Sequence, residues 1–335
     1  LRVLIVKTTS MGDVIHTLPA LTDALSAIPD IRFDWVVEEG FAEIPRWHPA
    51  VDKVIPVAVR RWRKSILNTV RSGEWRRFRK DLKTREYDAV IDAQGLLKSA
   101  LITRMAKGPK FGLDKNSARE PVASKFYDHP QPVNWGQHAV ERVRQLFAKA
   151  LGYALPNQAG QFLLDQSRFE DDLIKHKPYV VFIHGTTWPT KHWPEAYWCQ
   201  LAQKVQAAGL HIVIPWGNEK EKERAHCIAK SSDNIEVLPR LSLAGIAGVI
   251  ANAKAAVAVD TGLGHLTAAL ETPAVSLYGP TSPDLVGAYG TSQIHLTIDQ
   301  CPKSQLPKAD PEIFTPMTPD YVWPYLEKII QGGAP

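Results

Sequence analysis

Short apolar runs alternate along the chain with longer segments in which apolar side chains recur every three or four positions. In the first half the runs fall at Arg2–Val6, Phe33–Val37, Val54–Val57 and Ala89–Ile91, rich in Val and Ile, and they read as strands. Between them Thr22–Ile28 and Leu96–Ala106 carry a helical period, with Pro19 either kinking the first of these or opening it. His138–Ala150, apolar at Val140, Val143, Leu146 and Phe147, predicts a helix, and Gly152–Gly160 has the composition of a connection. The second half repeats the succession. Strands are expected at Tyr179–His184, His211–Trp216, Ile235–Leu238, Ala255–Val259 and Ala274–Tyr278, with helices at Glu195–Ala208, Lys220–Lys230 and Leu243–Ala253. Pro194 suits the first turn of its helix and Ser242 an N-cap. A proline-rich tail, Cys301–Pro319, precedes a last helix at Asp320–Ile330.

Strand, helix, strand with short connections means parallel sheets covered on both faces. At 335 residues the chain exceeds what one core organises. The expected fold is therefore α/β, with two doubly wound parallel-sheet, Rossmann-like domains facing a cleft and ligands at the carboxyl ends of their strands. The divisions fall at 1–155, a linker region at 156–176, a second domain at 177–316, and a C-terminal helix at 317–335 that has the option of packing back on the first domain. With 44% hydrophobic and 22% charged residues, wholesale disorder and a coiled coil are excluded. No apolar run approaches the roughly 18–20 residues of a membrane span. The chain enters Leu1–Val6 without a basic leader or apolar signal core, and Cys199, Cys227 and Cys301 lie far apart. The expectation is a cytoplasmic protein.

Charge changes the picture. Residues 1–150 hold 26 Lys+Arg against 17 Asp+Glu, whereas the remainder holds 14 against 18. From Arg60 to Arg85 there are 11 basic residues against Glu74 and Asp81. Such an asymmetry points the first half toward an anionic partner, be it nucleic acid, phospholipid or a phosphorylated substrate; a solvated helical face is the plain alternative. Beyond Trp62, Trp75 and Phe78 the stretch has few aromatics for base stacking, which argues against nucleic acid.

Three clusters carry candidate chemistry. Thr8-Thr9-Ser10-Met11-Gly12-Asp13 follows the first strand; Gly12 permits a tight turn, and Asp13 is placed either to take a proton from an acceptor hydroxyl or to cap a helix. Asp260-Thr261-Gly262-Leu263-Gly264-His265 follows another strand and opens a helix, where free amides and small residues suit a phosphate. His184–Pro194 combines hydroxyls, aromatics and Lys191, a compact charge for a leaving diphosphate or a surface lysine. No Walker A loop, structural zinc spacing, D-x-D pair or G-x-S-x-G elbow is present.

Together these clusters resemble the lipopolysaccharide heptosyltransferases of Gram-negative bacteria, glycosyltransferase family 9, which have the GT-B fold. The resemblance rests on Val3–Leu21, Asp260–Ala269, Tyr278-Gly279-Pro280-Thr281 and Lys191-His192-Trp193-Pro194. Glu38–Phe41, Arg60–Lys64 and Asp92-Ala93-Gln94-Gly95 look most like the members that add the first heptose; the second-heptose enzymes are the neighbouring alternative, and a nucleotide-binding membrane-surface module without catalysis a more distant one. The resemblance implies transfer of L-glycero-D-manno-heptose from ADP-heptose to Kdo of Kdo2-lipid A, with inversion and without a cofactor or metal. It makes the first domain acceptor-binding and the second ADP-sugar-binding. It implies Asp13 as base, with Thr186, Thr187, Lys191, Thr261, Gly262 and His265 at the diphosphate, Asp260 at the heptose and Glu221 at the ribose. Ser10, Arg60, Arg63, Lys64 and Arg119 would face the acidic acceptor, and the enzyme would sit peripherally on the anionic cytoplasmic face of the inner membrane.

Overall fold

Strands β1 (Arg2–Val6), β2 (Arg32–Glu38), β3 (Val51–Val57), β4 (Ala89–Asp92), β5 (Lys110–Leu113) and β6 (His129–Gln131) pair in parallel in the order β3-β2-β1-β4-β5-β6. Strands β7 (Tyr179–Ile183), β8 (His211–Ile214), β9 (Ile235–Val237), β10 (Ala255–Val259), β11 (Ala274–Tyr278) and β12 (Gln293–Thr297) form a second parallel sheet, β12-β11-β10-β7-β8-β9. Read from its own first strand, the second sheet has the same order as the first, that of a doubly wound nucleotide-binding fold. This computed structural model describes all residues except 66–68, 70, 170–172, 177, 303–306 and 334–335. The chain divides into two units, Leu1–Leu164 and Asp165–Pro335. Parts of the expected linker and of the proline-rich tail lie outside the described residues.

The central strands are buried on both faces, so they read as unbroken apolar runs: Val3–Val6 and Ala255–Val259 are all but inaccessible. In the first unit helices α1 (Met11–Ile15), α2 (Leu18–Ala27), α3 (Val59–Lys64), α4 (Glu74–Lys83), α5 (Leu97–Met105) and α6 (Ala139–Leu151) surround the sheet. Pro19 lies in the first turn of α2, where its missing N–H costs nothing, so the helix opens there and is not kinked. Strands β5, β6 and β12 are not apparent from periodicity, because their sequences KFGL, HPQ and QIHLT are short and mixed. Pro130 in β6 is accommodated at the sheet edge. The stretch that reads as a charge run contains α4, which buries Phe78 and Leu82 against Val36, Ile55 and Val57 and leaves its cations outside.

The second unit adds α7 (Glu195–Ala207), α8 (Glu219–Ala229), α9 (Leu243–Ala251), α10 (Gly262–Ala269), α11 (Pro283–Val286) and α12 (Pro319–Ile330). Where the sequence leaves open a return of the last helix to the first domain, α12 packs on α7, β10 and β11 of its own unit. Val322, Leu326 and Ile329 enter the core beside Phe182, Trp193 and Trp198, and Trp193 Nε1–H donates to Met317 O at 2.9 Å.

One buried cation ties α6 to α2 in the first unit. Arg144 on α6 is 2% exposed; it donates to Asp23 Oδ2 on α2 at 2.6 Å, to Glu141 Oε2 at 2.9 Å and to Gln158 O at 2.8 Å. Arg144→Met should strand the Asp23 carboxylate and cost about 3–5 kcal/mol, the usual penalty for removing one partner of a buried pair. Urea unfolding of the variant measures it, and a loss under about 1 kcal/mol would show that Asp23 is resolvated at little cost.

Candidate active site

In each sheet the first strand lies beside the fourth, with connections leaving on opposite sides of the sheet, so the loops after these two strands part and leave room for a ligand. The loop after β1 bears Ser10 and Asp13, the loop after β4 bears Gln94, and the two are tied together. Gln94 Oε1 accepts the N–H groups of Thr8 and Thr9 at 3.0 and 3.2 Å. Gln94 is itself anchored, since its N–H donates to Asp92 Oδ1 at 2.8 Å while Tyr127 O–H donates to Asp92 Oδ2 at 2.8 Å. Burial pushes the Asp92 carboxyl up, and the hydrogen bonds from Tyr127, Gln94 and Gly95 oppose that shift.

Asp13 occupies the third position of α1, behind Ser10 at the N-cap. The Ser10 N–H and hydroxyl both donate to Asp13 Oδ2, at 2.7 and 2.8 Å, and Lys7 Nζ lies 3.5 Å from Oδ1. The two roles left open by the sequence therefore coexist: Asp13 completes a helix start, and its side chain is still 40% exposed. Lys98 on α5 donates to Thr9 Oγ1 at 3.2 Å. Burial holds the Lys98 ammonium below its ordinary value; Glu38 and Glu120 oppose this, while the charges of Arg60 and Arg63 add to it. Arg60 and Arg63 thus face the same corner as Lys98. Arg60, Arg63, Lys64 and Arg119 are exposed, whereas their neighbour Arg61 is clamped by Glu39 and Glu74 at 3.0 and 2.9 Å.

At the second switch point the loops after β7 and β10 meet around Asp260, which is 9% exposed. Trp188 O accepts the Lys191 N–H at 3.0 Å, closing a turn over Pro189–Lys191 that directs the lysine back to the sheet. Lys191 Nζ then reaches Asp260 Oδ2 at 2.6 Å, and Thr281 O–H donates to the same oxygen at 2.7 Å. His265 Nε2 lies 3.9 Å from Asp260 Oδ1, and Thr186 O–H donates to Asp260 O at 3.1 Å. Thr261 and Gly262 open α10, whose first amides have no acceptor within the helix and suit an anion. Thr187 is exposed on its loop. Glu221 stands at the start of α8, where its Oε2 accepts the Gly217 N–H at 2.7 Å. A Cβ on Gly185 would come within 2.8 Å of the Glu221 carboxyl carbon, so only glycine lets the carboxylate sit there.

The structure gathers Thr186, Lys191, Asp260 and His265 into one cluster, and Ser10 with Asp13 into another. Sequence reasoning passes over four contributors: Lys7, Gln94, Lys98 and Thr281. Gln94 and Thr281 stand inside motifs that the resemblance uses, while Lys7, ending an apolar strand, is a charge without a solvated place to go. Among the described residues no three His, Cys, Asp or Glu side chains form a metal-binding group.

Comparison with known proteins gives a consistent answer. The model of glycosyltransferase family 9 (heptosyltransferase) matches residues 75–312. The chain is 63% identical over 300 residues to lipopolysaccharide heptosyltransferase 1 of Pseudomonas aeruginosa, covering 89% of this chain and 84% of that protein. Its fold superposes on the Escherichia coli heptosyltransferase WaaC with ADP at a TM-score of 0.90 and 49% identity, covering 98% of this chain and 100% of the other. The same enzyme with ADP-2-deoxy-2-fluoro heptose superposes at 0.87, with 49% identity and 98% and 99% coverage.

His184, wholly buried directly before the Gly185–Lys191 loop, offers a test of how this corner is built. Burial pushes its imidazole down from 6.5 to about 3, helped by the charges of Arg224 and His192. The unfolded chain takes up the proton first on acidification. Stability from this group is therefore complete above about 6.5 and drains as pH falls toward about 3. Urea midpoints followed from about pH 7 down to 4 should fall more steeply for the wild type than for His184→Leu; parallel losses would count against the assignment.

Proposed function

The chain belongs to glycosyltransferase family 9, the heptosyltransferases, and on that footing we propose how its two switch points share one reaction. It is a lipopolysaccharide heptosyltransferase of the first type and takes heptose from ADP-heptose. The finer reading is that L-glycero-D-manno-heptose passes, with inversion, to a hydroxyl of Kdo on Kdo2-lipid A. The observation that carries it is the Asp13 carboxylate, oriented at both oxygens and still accessible at the end of β1.

In this reading the donor lies on the second unit. Glu221 takes the ribose hydroxyls, and the amides that open α10 take the diphosphate together with Thr186, Thr187, Thr261 and His265. Lys191 is paired with Asp260 before the donor arrives. As the bond to the anomeric carbon breaks, negative charge gathers on the departing ADP, and Lys191 turns to that charge, freeing Asp260 for heptose hydroxyls. The acceptor hydroxyl gives its proton to Asp13 and its oxygen pair to the anomeric carbon. One in-line displacement through an oxocarbenium-like state inverts the centre, as in related glycosyl chemistry. Ser10, Arg60, Arg63, Lys64 and Arg119 supply charge and hydrogen bonds to the acidic acceptor.

The anionic membrane face is proposed as the second partner of the first unit. Arg76, Arg79, Lys80 and Lys83 are exposed on α4 and line one hollow with Thr84. Each is worth about 1 kcal/mol beside an anionic surface. Trp62, Trp75 and Phe78 pack ring to ring at 5.6–5.8 Å, so they serve the core and not a stack of bases. Among the described residues no helix is long and apolar enough to cross a membrane.

Asp13→Asn should bind ADP-heptose as the wild type does while kcat falls by roughly 10²–10⁴, the range for a lost general base. Turnover at the wild-type rate would leave Asp13 a cap only. Reversing the charges of Arg60 and Arg63 to Glu should raise the acceptor KM and leave the donor KM within about twofold, and salt should imitate it as the Debye length shrinks to about 8 Å. A collapse of donor affinity with an unchanged acceptor KM would mean the substrates are assigned to the wrong units.

A further inference from the structure

We propose that Lys7 is a positioning residue for the base, a buried ammonium that fixes the second oxygen of the Asp13 carboxylate. The proposal rests on the reading of Asp13 as base and adds a residue to it. A lysine buried directly after a central strand is costly unless its ammonium meets oxygens. The Lys7 side chain is only 8% exposed, and its Nζ donates to Ala93 O at 2.9 Å and stands 3.5 Å from Asp13 Oδ1. Its main chain has no slack. The Lys7 N–H donates to Val36 O at 3.2 Å, and Trp35 Nε1–H donates to Lys7 O at 3.0 Å, so β2 holds the residue from which the ammonium reaches.

Two anchors then define the carboxylate. Ser10 takes Oδ2 from the helix start, and Lys7 approaches Oδ1 from the sheet. Ser10 by itself would let the carboxylate swing about Oδ2, whereas the pair sets the plane in which the remaining lone pairs point. The other titratable groups around this corner are Glu38 at the end of β2, Asp92 at the end of β4, Lys98 on α5, Arg60 and Arg63 on α3, and His16 after α1. Lys7 is the cation that approaches Asp13 from the buried side. Its charge also favours the ionised carboxylate, so a neutral residue in its place should make Asp13 harder to deprotonate.

The test uses the full chain with Lys7→Gln and Lys7→Met, each also combined with Asp13→Asn. The Gln amide keeps a donor for Ala93 O, whereas Met keeps only the length. Both single variants should lose kcat by about 10–100-fold, the scale of a misplaced reacting group, with KM for ADP-heptose little changed. The acid limb of their pH–rate profile should move to higher pH, because the base has lost its neighbouring cation. Added to Asp13→Asn, either change should have almost no further effect on kcat. A folded Lys7→Gln enzyme with its acid limb unmoved would overturn the proposal, and so would a Gln variant that fails to fold, since Lys7 would then serve the fold alone. Asp13→Asn turning over normally would instead remove the base assignment itself, an outcome read independently of Lys7.

Discussion

The adjacency of a first and a fourth parallel strand, made once in each sheet, is the constraint on which the reactive parts of this chain depend. At β1 and β4, and again at β7 and β10, two connections leave the sheet on opposite sides and part. The first gap is spanned by Gln94 reaching the amides of Thr8 and Thr9, the second by Lys191 and Thr281 converging on Asp260. Polar groups are concentrated where the fold itself withholds packing, and the buried apolar strands on either side give them a rigid frame.

The two sites solve the same electrostatic problem differently. In the second unit Asp260 is nearly closed off and meets a lysine ammonium at 2.6 Å, a pair whose members satisfy each other until a more highly charged ligand competes. In the first unit Asp13 meets its lysine at 3.5 Å and remains partly open to water. On the proposed roles, a carboxylate that receives a proton gains from a looser cation than one that holds a lysine in reserve. The difference follows from where each lysine originates. Lys7 reaches from the residue directly after β1, which β2 holds through two hydrogen bonds, whereas Lys191 ends the short turn Pro189–Lys191.

Much of the architecture is legible in the sequence because its central strands are buried on both faces and so appear as unbroken runs, as at Val3–Val6 and Ala255–Val259. The edges are less legible. His129–Gln131 makes a strand because Phe111 and Leu113 of β5 offer it a ladder, an influence absent from its own three residues. Helix α4 is hidden by its charges, since Trp75, Phe78 and Leu82 are the few apolar residues that mark its core face among seven charged ones. At the candidate sites the loop residues are visible from their motifs, but Lys98 and Gln94 come from segments some 85 positions away from the loop they support. Contacts of that separation arise from strand order, which single-sequence periodicity does not encode.

The seating of α12 has a consequence for how the molecule comes into being. Phe314, Met317, Val322, Leu326 and Ile329 are interior residues of the second unit, packed with Trp193 and Trp198 from its beginning. On the ribosome the first unit has its whole sheet and its covering helices available once residue 164 has emerged. The second must wait until these last interior residues are released, with the ring faces of Trp193 and Trp198 uncovered meanwhile. Since chains are made at about 5–20 residues per second, that interval lasts on the order of ten seconds or more. The nascent second unit is therefore the stage at which a folding helper has apolar surface to hold.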